Sequence, residues 1–336
     1  MFLWVAKSLA DLGNDVTVLT WAKNTTVEIP SNINIKQVDI EKKWIVFKIK
    51  YIRSVIKELN PDVSISFLLD SNIFNILACK GLRTKSIVCE RNDPFKPRYY
   101  KLKLLKPIFR WADGAVFQLP KVADYYNNIK SKTAIIPNPV VKKESCRIMP
   151  FTQRDKVITT LGRLDIFQKR TDLLIEAFAL FYKDHPDYIL RLWGDGPDES
   201  ELRKKSEQLG ISKYVEFAGK TDNPIQSILN SQIFVLSSDF EGIPNALIEA
   251  MSVGLTCVAT DCRPGGAALL INDKNNGLLV PCGSKEDIAG ALNYLCQHPA
   301  EADKYGRNAF NITECFSEYR IATEWNNYIK LLAHEL

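Results

Sequence analysis

Apolar residues fall along this chain in two patterns: short solid runs, and longer stretches spaced three and four apart. The first pattern predicts buried strands, the second helices packed on one face. Phe2, Leu3, Val5, Ala6, Leu9, Ala10 and Leu12 mark one face of an opening helix that Gly13 stops. Strands are predicted next at 16–19, 33–38, 63–67, 86–89, 115–117 and 134–136. Helical patterns lie between them at 44–59, 72–79 and 122–129, with a basic one at 99–111 that Pro107 interrupts. Residues 137–150 carry prolines and charges without periodicity and read as a linker. A second alternating series runs from Val157 through strands near Leu190, Val215, Ile233, Cys257 and Leu278, and a helix over 317–332 closes the chain. This alternation predicts an α/β protein with parallel, doubly wound sheets. It places one domain at 1–140, a second at 151–316 and a terminal helix at 317–336.

The 336 residues leave room for two domains, and 46% apolar with 25% charged residues excludes a disordered chain. No apolar run reaches the length of a membrane span, and the first residues lack a signal peptide's basic segment and cleavage site. Cys79, Cys89, Cys146, Cys257, Cys262, Cys282, Cys296 and Cys315 form no C-x-x-C pair and mostly sit in apolar runs. They predict buried thiols in a reducing, cytoplasmic compartment, with neither zinc nor disulfides. Charge adds an asymmetry. Residues 1–150 hold 25 Lys and Arg against 13 Asp and Glu, a net +12, while the remainder holds 19 against 26, a net −7. The first half is therefore expected to meet an anionic surrounding.

The second half is organised around residues 239–261, DFEGIPNALIEAMSVGLTCVATD. They follow the apolar run 233–236, so Glu241 falls on a loop at a strand's carboxyl end. Glu249 falls eight residues on, about two turns into the following helix. Ligands bind at that edge of open α/β sheets. The spacing alone equally fits a loop acid and a helix-surface acid. The whole string, with its glycine and V-A-T-D strand end, closely resembles the E-x7-E segment of the group 1 (family 4) retaining glycosyltransferases, which have the GT-B fold. The resemblance implies that Glu241 and the backbone after it (Gly242, Ile243, Asn245) face a donor sugar. It also implies that Glu249 holds the nucleotide's ribose hydroxyls.

Three further segments extend the resemblance. In VITTLGRLDIFQKRTDLLIEAF a strand ends at Gly162 and a helix begins near Asp172, so Arg163 and Lys169 project from the loop between them. A glycine lets backbone approach a phosphate, and cations beside a helix start offset its charge. The segment looks like the family's G-R-L-x-x-x-K-G, in which Arg and Lys bind the donor diphosphate. Here the loop has one residue more, and Arg170 stands where the family has Gly. Gly194, Gly196 and Pro197 form a turn after another strand, and Asp198 is placed to cap the next helix. That turn matches the family's G-x-G-P beside the nucleotide. Phe217 to Lys220 then fall where relatives contact the base with backbone, and Gly265 and Gly266 where relatives have a turn near the site.

The first half is less legible. CERNDPFKP follows a strand and is similar to a loop in relatives that build surface polysaccharides. Many relatives carry a histidine in this region, whereas His185, His298 and His334 all lie in the second half. Glu90, Arg91, Asn92 and Asp93 are the substitutes in position for the acceptor side, and a structural turn fits them about as well. Between 96 and 111, Lys96, Arg98, Lys101, Lys103, Lys106 and Arg110 occur with no acid among interleaved aromatic and aliphatic residues. They predict attachment to an anionic membrane or an ordinary solvated helix face. No nucleic-acid recognition module is visible.

Taken together, the resemblance implies two Rossmann-like domains facing a central cleft. They would transfer a sugar with retained configuration from a UDP-linked nucleotide diphosphate donor to a hydroxyl acceptor, a lipid-linked saccharide of surface polysaccharide synthesis. No D-x-D element with a partner acid cluster stands at a strand end, so neither metal nor other cofactor is expected. A noncatalytic GT-B scaffold and a sugar-nucleotide epimerase remain alternatives. The chain begins inside what looks like a first helix, so the strand and glycine loop that normally precede it are expected to be missing.

Overall fold

The computed structural model describes residues 2–21, 30–38, 44–91, 94, 104–127, 129, 132–140 and 148–334. The chain divides into two compact units, one of residues 1–138 with 318–336 and the other of residues 139–317. No described helix is long and apolar enough to cross a membrane.

Unit one contains α1 (Phe2–Asp11), β1 (Thr17–Thr20), β2 (Asn34–Gln37), α2 (Ile45–Leu59), β3 (Val63–Phe67), α3 (Leu69–Cys79), β4 (Lys85–Glu90), β5 (Gly114–Phe117), α4 (Pro120–Tyr125) and β6 (Lys132–Ile135). All its strand pairs are parallel, but they form two sheets, β1-β2 and β3-β4-β5-β6. The alternation predicts one sheet. It is divided because no described strand bridges β1 to β3. Of the basic stretch at 99–111, residues 95–103 lie outside the described residues, and Lys106–Trp111 is a 3-10 turn. The helix predicted to reach residue 129 stops at Tyr125. Tyr126 leaves it to lie between Phe109 and Phe117, with ring centroids 5.0 and 5.2 Å away. The C-terminal helix, Glu318–Ala333, also belongs to this unit. It buries Trp325 against Phe67 and sets the Tyr328 hydroxyl 2.8 Å from the Lys132 carbonyl. Gly114 makes room for that hydroxyl, since a Cβ there would lie 2.5 Å from it.

Unit two contains β7 (Asp155–Leu161), α5 (Thr171–Tyr182), β8 (Ile189–Trp193), α6 (Glu199–Gln208), β9 (Val215–Gly219), α7 (Pro224–Ile228), β10 (Ser231–Leu236), α8 (Asn245–Met251), β11 (Thr256–Thr260), α9 (Gly266–Leu270), β12 (Leu278–Val280), α10 (Lys285–Gln297) and α11 (Pro299–Ala309). Its six parallel strands run β12-β11-β10-β7-β8-β9. Strands β10 and β11 are buried at every residue, as central strands covered on both faces must be. Leu174, Phe178 and Phe181 of α5 pack with Ile158, Leu190 and Val235 of the sheet. The chain leaves β7 toward one edge and returns to build the other from β10, so the strand order reverses between β7 and β10. Ligands of open α/β sheets bind at such a reversal, at the carboxyl edge of the strands. Among the described residues four cysteines are buried (Cys79, Cys89, Cys257, Cys262), but Cys282, just after β12, and Cys315, at the end of a short helix over Ile312–Cys315, are exposed.

Candidate active site

The loop from β7 to α5 and the loop from β10 to α8 meet at this reversal. Asp165, which is buried, shapes the first loop: its carboxylate accepts from the Gln168 and Lys169 amides at 2.6 and 3.0 Å and from Arg163 Nε at 2.7 Å. Burial alone would raise this carboxyl, but the two amides and the guanidinium outweigh it and hold it below the usual carboxylate range. The two loops are stitched together as well. The Asp239 amide donates to the Gln168 carbonyl at 2.9 Å, and the Ser237 hydroxyl to the Lys169 carbonyl at 2.8 Å.

This stitching delivers Lys169 to Glu241. Lys169 Nζ lies 2.6 Å from Glu241 Oε1, which also accepts from the Ser238 hydroxyl at 3.0 Å. Arg163 stands nearby on the same loop with its side chain largely exposed, paired with Asp165. Arg170 adopts the left-handed conformation, φ 50°, that favours glycine. Its guanidinium ties to Asp172 and to Asp239, at 3.2 and 3.0 Å, and these partners hold an otherwise strained residue in place. The hydrogen bond that the guanidinium donates to Asp172 raises its pKa further, so Arg170 stays charged.

Glycines let the neighbouring turns approach. A Cβ on Gly194 would lie 1.9 Å from the Gly162 carbonyl oxygen, one on Gly196 2.0 Å from that of Leu164, and one on Gly266 1.6 Å from that of Gly242. Asp198 stands at the start of α6 without capping it, because its carboxylate reaches across to the Ile166 amide at 2.9 Å. Lys220 pairs with Asp195 at 2.8 Å in an exposed contact, and the Phe217 ring is covered by the Arg203 guanidinium at 4.2 Å. Gly242, Ile243 and Asn245 follow Glu241 into α8.

Glu249 lies one turn into α8, not two, because the helix begins only at Asn245. Its carboxylate is half-buried and has no hydrogen-bond or ion-pair partner among the described residues. Desolvation raises its pKa with nothing to offset it. A carboxylate kept partly dry and unpaired is poised to accept from a ligand's hydroxyls.

The family model described as Glycosyl transferases group 1 matches residues 141–312, which span these loops. The chain belongs to the group 1 glycosyltransferases. It is 27% identical over 285 residues to the GalNAc-alpha-(1->4)-GalNAc-alpha-(1->3)-diNAcBac-PP-undecaprenol alpha-1,4-N-acetyl-D-galactosaminyltransferase of Campylobacter jejuni, covering 84% of this chain and 77% of that protein. It is 28% identical over 250 residues to the uncharacterized glycosyltransferase MJ1059 of Methanocaldococcus jannaschii, covering 67% of this chain but only 61% of that protein's length. The solved lipopolysaccharide outer core galactosyltransferase WaaB in its apo form superposes with a TM-score of 0.82 at 21% identity, over 98% of this chain and 94% of that one. The fold of this glycosyltransferase is accordingly GT-B.

Sequence reasoning missed Asp165, Ser238 and Asp239. The only signal was their position, two residues after Arg163 and just before Glu241. In unit one, Glu90 ends β4 and is buried, Arg91 follows it half-buried, and Asn92 and Asp93 lie outside the described residues. Arg91 donates to the Asn138 amide oxygen, and its buried Nε has no hydrogen-bond partner among the described residues. In the basic stretch, Lys106 Nζ sits 4.3 Å over the Tyr125 ring and Arg110 5.1 Å from the Trp111 ring.

Proposed function

We propose that this glycosyltransferase moves a sugar from a UDP-linked donor to a hydroxyl of a lipid-linked saccharide acceptor in surface polysaccharide assembly, with retention of anomeric configuration. The observation that carries the reading is the 2.6 Å pairing of Lys169 with Glu241 at the strand-order reversal, on the loop that leads into the helix carrying Glu249, which has no partner among the described residues. A departing nucleoside diphosphate develops negative charge, and Lys169 and Arg163 are the cations at that edge. Each charged hydrogen bond to a phosphate oxygen contributes about 1.5–3 kcal/mol. Lys169 would then be shared between Glu241 and the diphosphate, and Arg163 would turn from Asp165 to join it. With Lys169 turned toward phosphate, Glu241 orients the sugar hydroxyls, Gly162, Gly194 and Gly196 bring backbone close to the nucleotide, and Glu249 takes the ribose diol. The acceptor hydroxyl attacks on the face that the diphosphate leaves, with a leaving-group oxygen taking its proton, so no protein nucleophile is needed. Arg91, with its unpaired Nε, is offered to the acceptor's anionic group.

The Campylobacter relative, named for a saccharide on diphospho-undecaprenol, supports a lipid-linked acceptor. The test is release of nucleotide from a panel of uridine and guanosine sugars, with and without a lipid-linked saccharide. UDP release that requires acceptor and persists in EDTA is the expected result. Release only after adding magnesium or manganese overturns the charge argument, and no acceptor-dependent release from any donor overturns the enzymatic reading.

A further inference from the structure

Helix α2 is amphipathic along most of its length and buries Ile52, Val55 and Ile56 against unit one. Its start is different. Trp44 is 82% exposed, and Ile45, Val46 and Phe47 are each 61% exposed. Trp44 is the extended residue before the helix and Ile45, Val46 and Phe47 open its first turn, where at about 3.6 residues per turn they point in three directions, so no single packed face accounts for them. All four large apolar side chains at this helix start are exposed. Scattered exposed apolar residues are ordinary, whereas four contiguous ones mark a binding surface.

The charges around this turn select the partner. Lys42, Lys43, Lys48, Lys50, Arg53 and Lys57 occur between residues 42 and 57 of the sequence with no acid among them, Lys42 and Lys43 lying outside the described residues. Arg53 is turned inward to the carbonyls of Ala78 and Lys80, at 2.7 Å each. Lys48, Lys50 and Lys57 make no ion pair among the described residues. An apolar tip ringed by unneutralised cations matches a bilayer, in which anionic headgroups overlie hydrocarbon. A second copy of this chain would instead bring like charges together around a symmetric contact.

We propose that residues 44–47 form a wedge that enters an anionic membrane surface, with Trp44 at the headgroup level and the α2 lysines on lipid phosphates. Trp suits that depth because its ring is apolar and its N–H remains solvated. The helix is too short and too charged to span, so attachment is peripheral and reversible. This segment is separate in sequence from the 96–111 stretch and belongs to the positive half of the chain.

The test is co-sedimentation with phosphatidylcholine vesicles, with and without phosphatidylglycerol, at low and high salt. Binding should rise with phosphatidylglycerol and fall with salt. Trp44→Ser combined with Phe47→Ser should weaken it at least about tenfold, since about 0.8 kcal/mol is lost per CH2 removed from the bilayer. Lys48→Glu with Lys50→Glu should weaken it by a factor on the order of twenty-five, about fivefold per lost cation. Brominated lipid should quench a part of the tryptophan emission that Trp44→Phe abolishes. Unchanged circular dichroism would show that the exposed substitutions leave the fold alone. Vesicle binding that survives the Trp44/Phe47 double substitution overturns the proposal. So does a wild-type protein that ignores vesicles but forms a dimer which that substitution dissociates. Nucleotide release with a water-soluble acceptor should persist in the double variant, which separates failure of the wedge from failure of the catalytic reading.

Discussion

Replacing Glu249 by Gln should make the empty protein more stable and its donor binding weaker. The carboxylate is half-buried without a counter-charge, and burial alone raises its pKa above the ordinary 4.5. A folded-state value above the unfolded one means that the folded protein holds the proton more tightly. This group therefore costs nothing below pH 4.5, and its cost grows as pH rises through the folded value. Glutamine removes that cost, so the stabilisation should be full at pH 7 and vanish at pH 4. Binding should move the other way. Two carboxylate oxygens without partners can accept from two ribose hydroxyls, and charged acceptors contribute about 1.5–3 kcal/mol each. Allowing for what an amide oxygen retains, the loss is about 2–4 kcal/mol, a factor of roughly 30 to 1000 in Kd for UDP. Calorimetric titration of UDP and urea unfolding at pH 4 and pH 7 measure both. Unchanged UDP affinity would refute the ribose assignment. A destabilised variant at pH 7 would show that the carboxylate has a structural partner instead.

Three further outcomes follow from the geometry. Lys169→Ala should lower kcat by about 10²–10³, the cost of one charged donor to a developing anion, while nucleotide binding changes less; weakened nucleotide binding with kcat unchanged would place Lys169 in ground-state binding only. Gly194→Ala forces a Cβ to within 1.9 Å of the Gly162 carbonyl at φ 127°, so the protein should lose about 3 kcal/mol or more in urea unfolding. Asp165→Asn should destabilise at neutral pH, because a carboxyl held below its usual 3.8 contributes stability that is present above that value. The difference from wild type should shrink as pH falls below 3.8, and a difference that ignores pH would mean the amides, not the charge, carry the loop.

How much of this was legible beforehand depended on how local each feature is. Strand β3 at 63–67 and the start of the C-terminal helix within one residue of 317 could be read from apolar spacing, because a strand or helix face is written within a few neighbouring residues. Glu241, Glu249, Arg163 and Lys169 were recognisable for a related reason: each motif sits at one strand-to-helix junction. The ends of elements were less legible. Helix α4 stopped four residues short because Tyr126 gains more between two aromatic rings than in another helical turn. Asp198 resembled a cap by position, and only packing showed its carboxylate committed to Ile166, 32 residues away. Arg170 looked like a misfit for a glycine until Asp239 was seen to hold it. The sequence by itself determined the alternating α/β plan, the charge asymmetry and the residues of the motifs. The tertiary structure decided which of them meet. Lys169 and Glu241 are 72 residues apart and come together only because the sheet reverses its strand order between β7 and β10, a contact set by chain topology that no local pattern encodes.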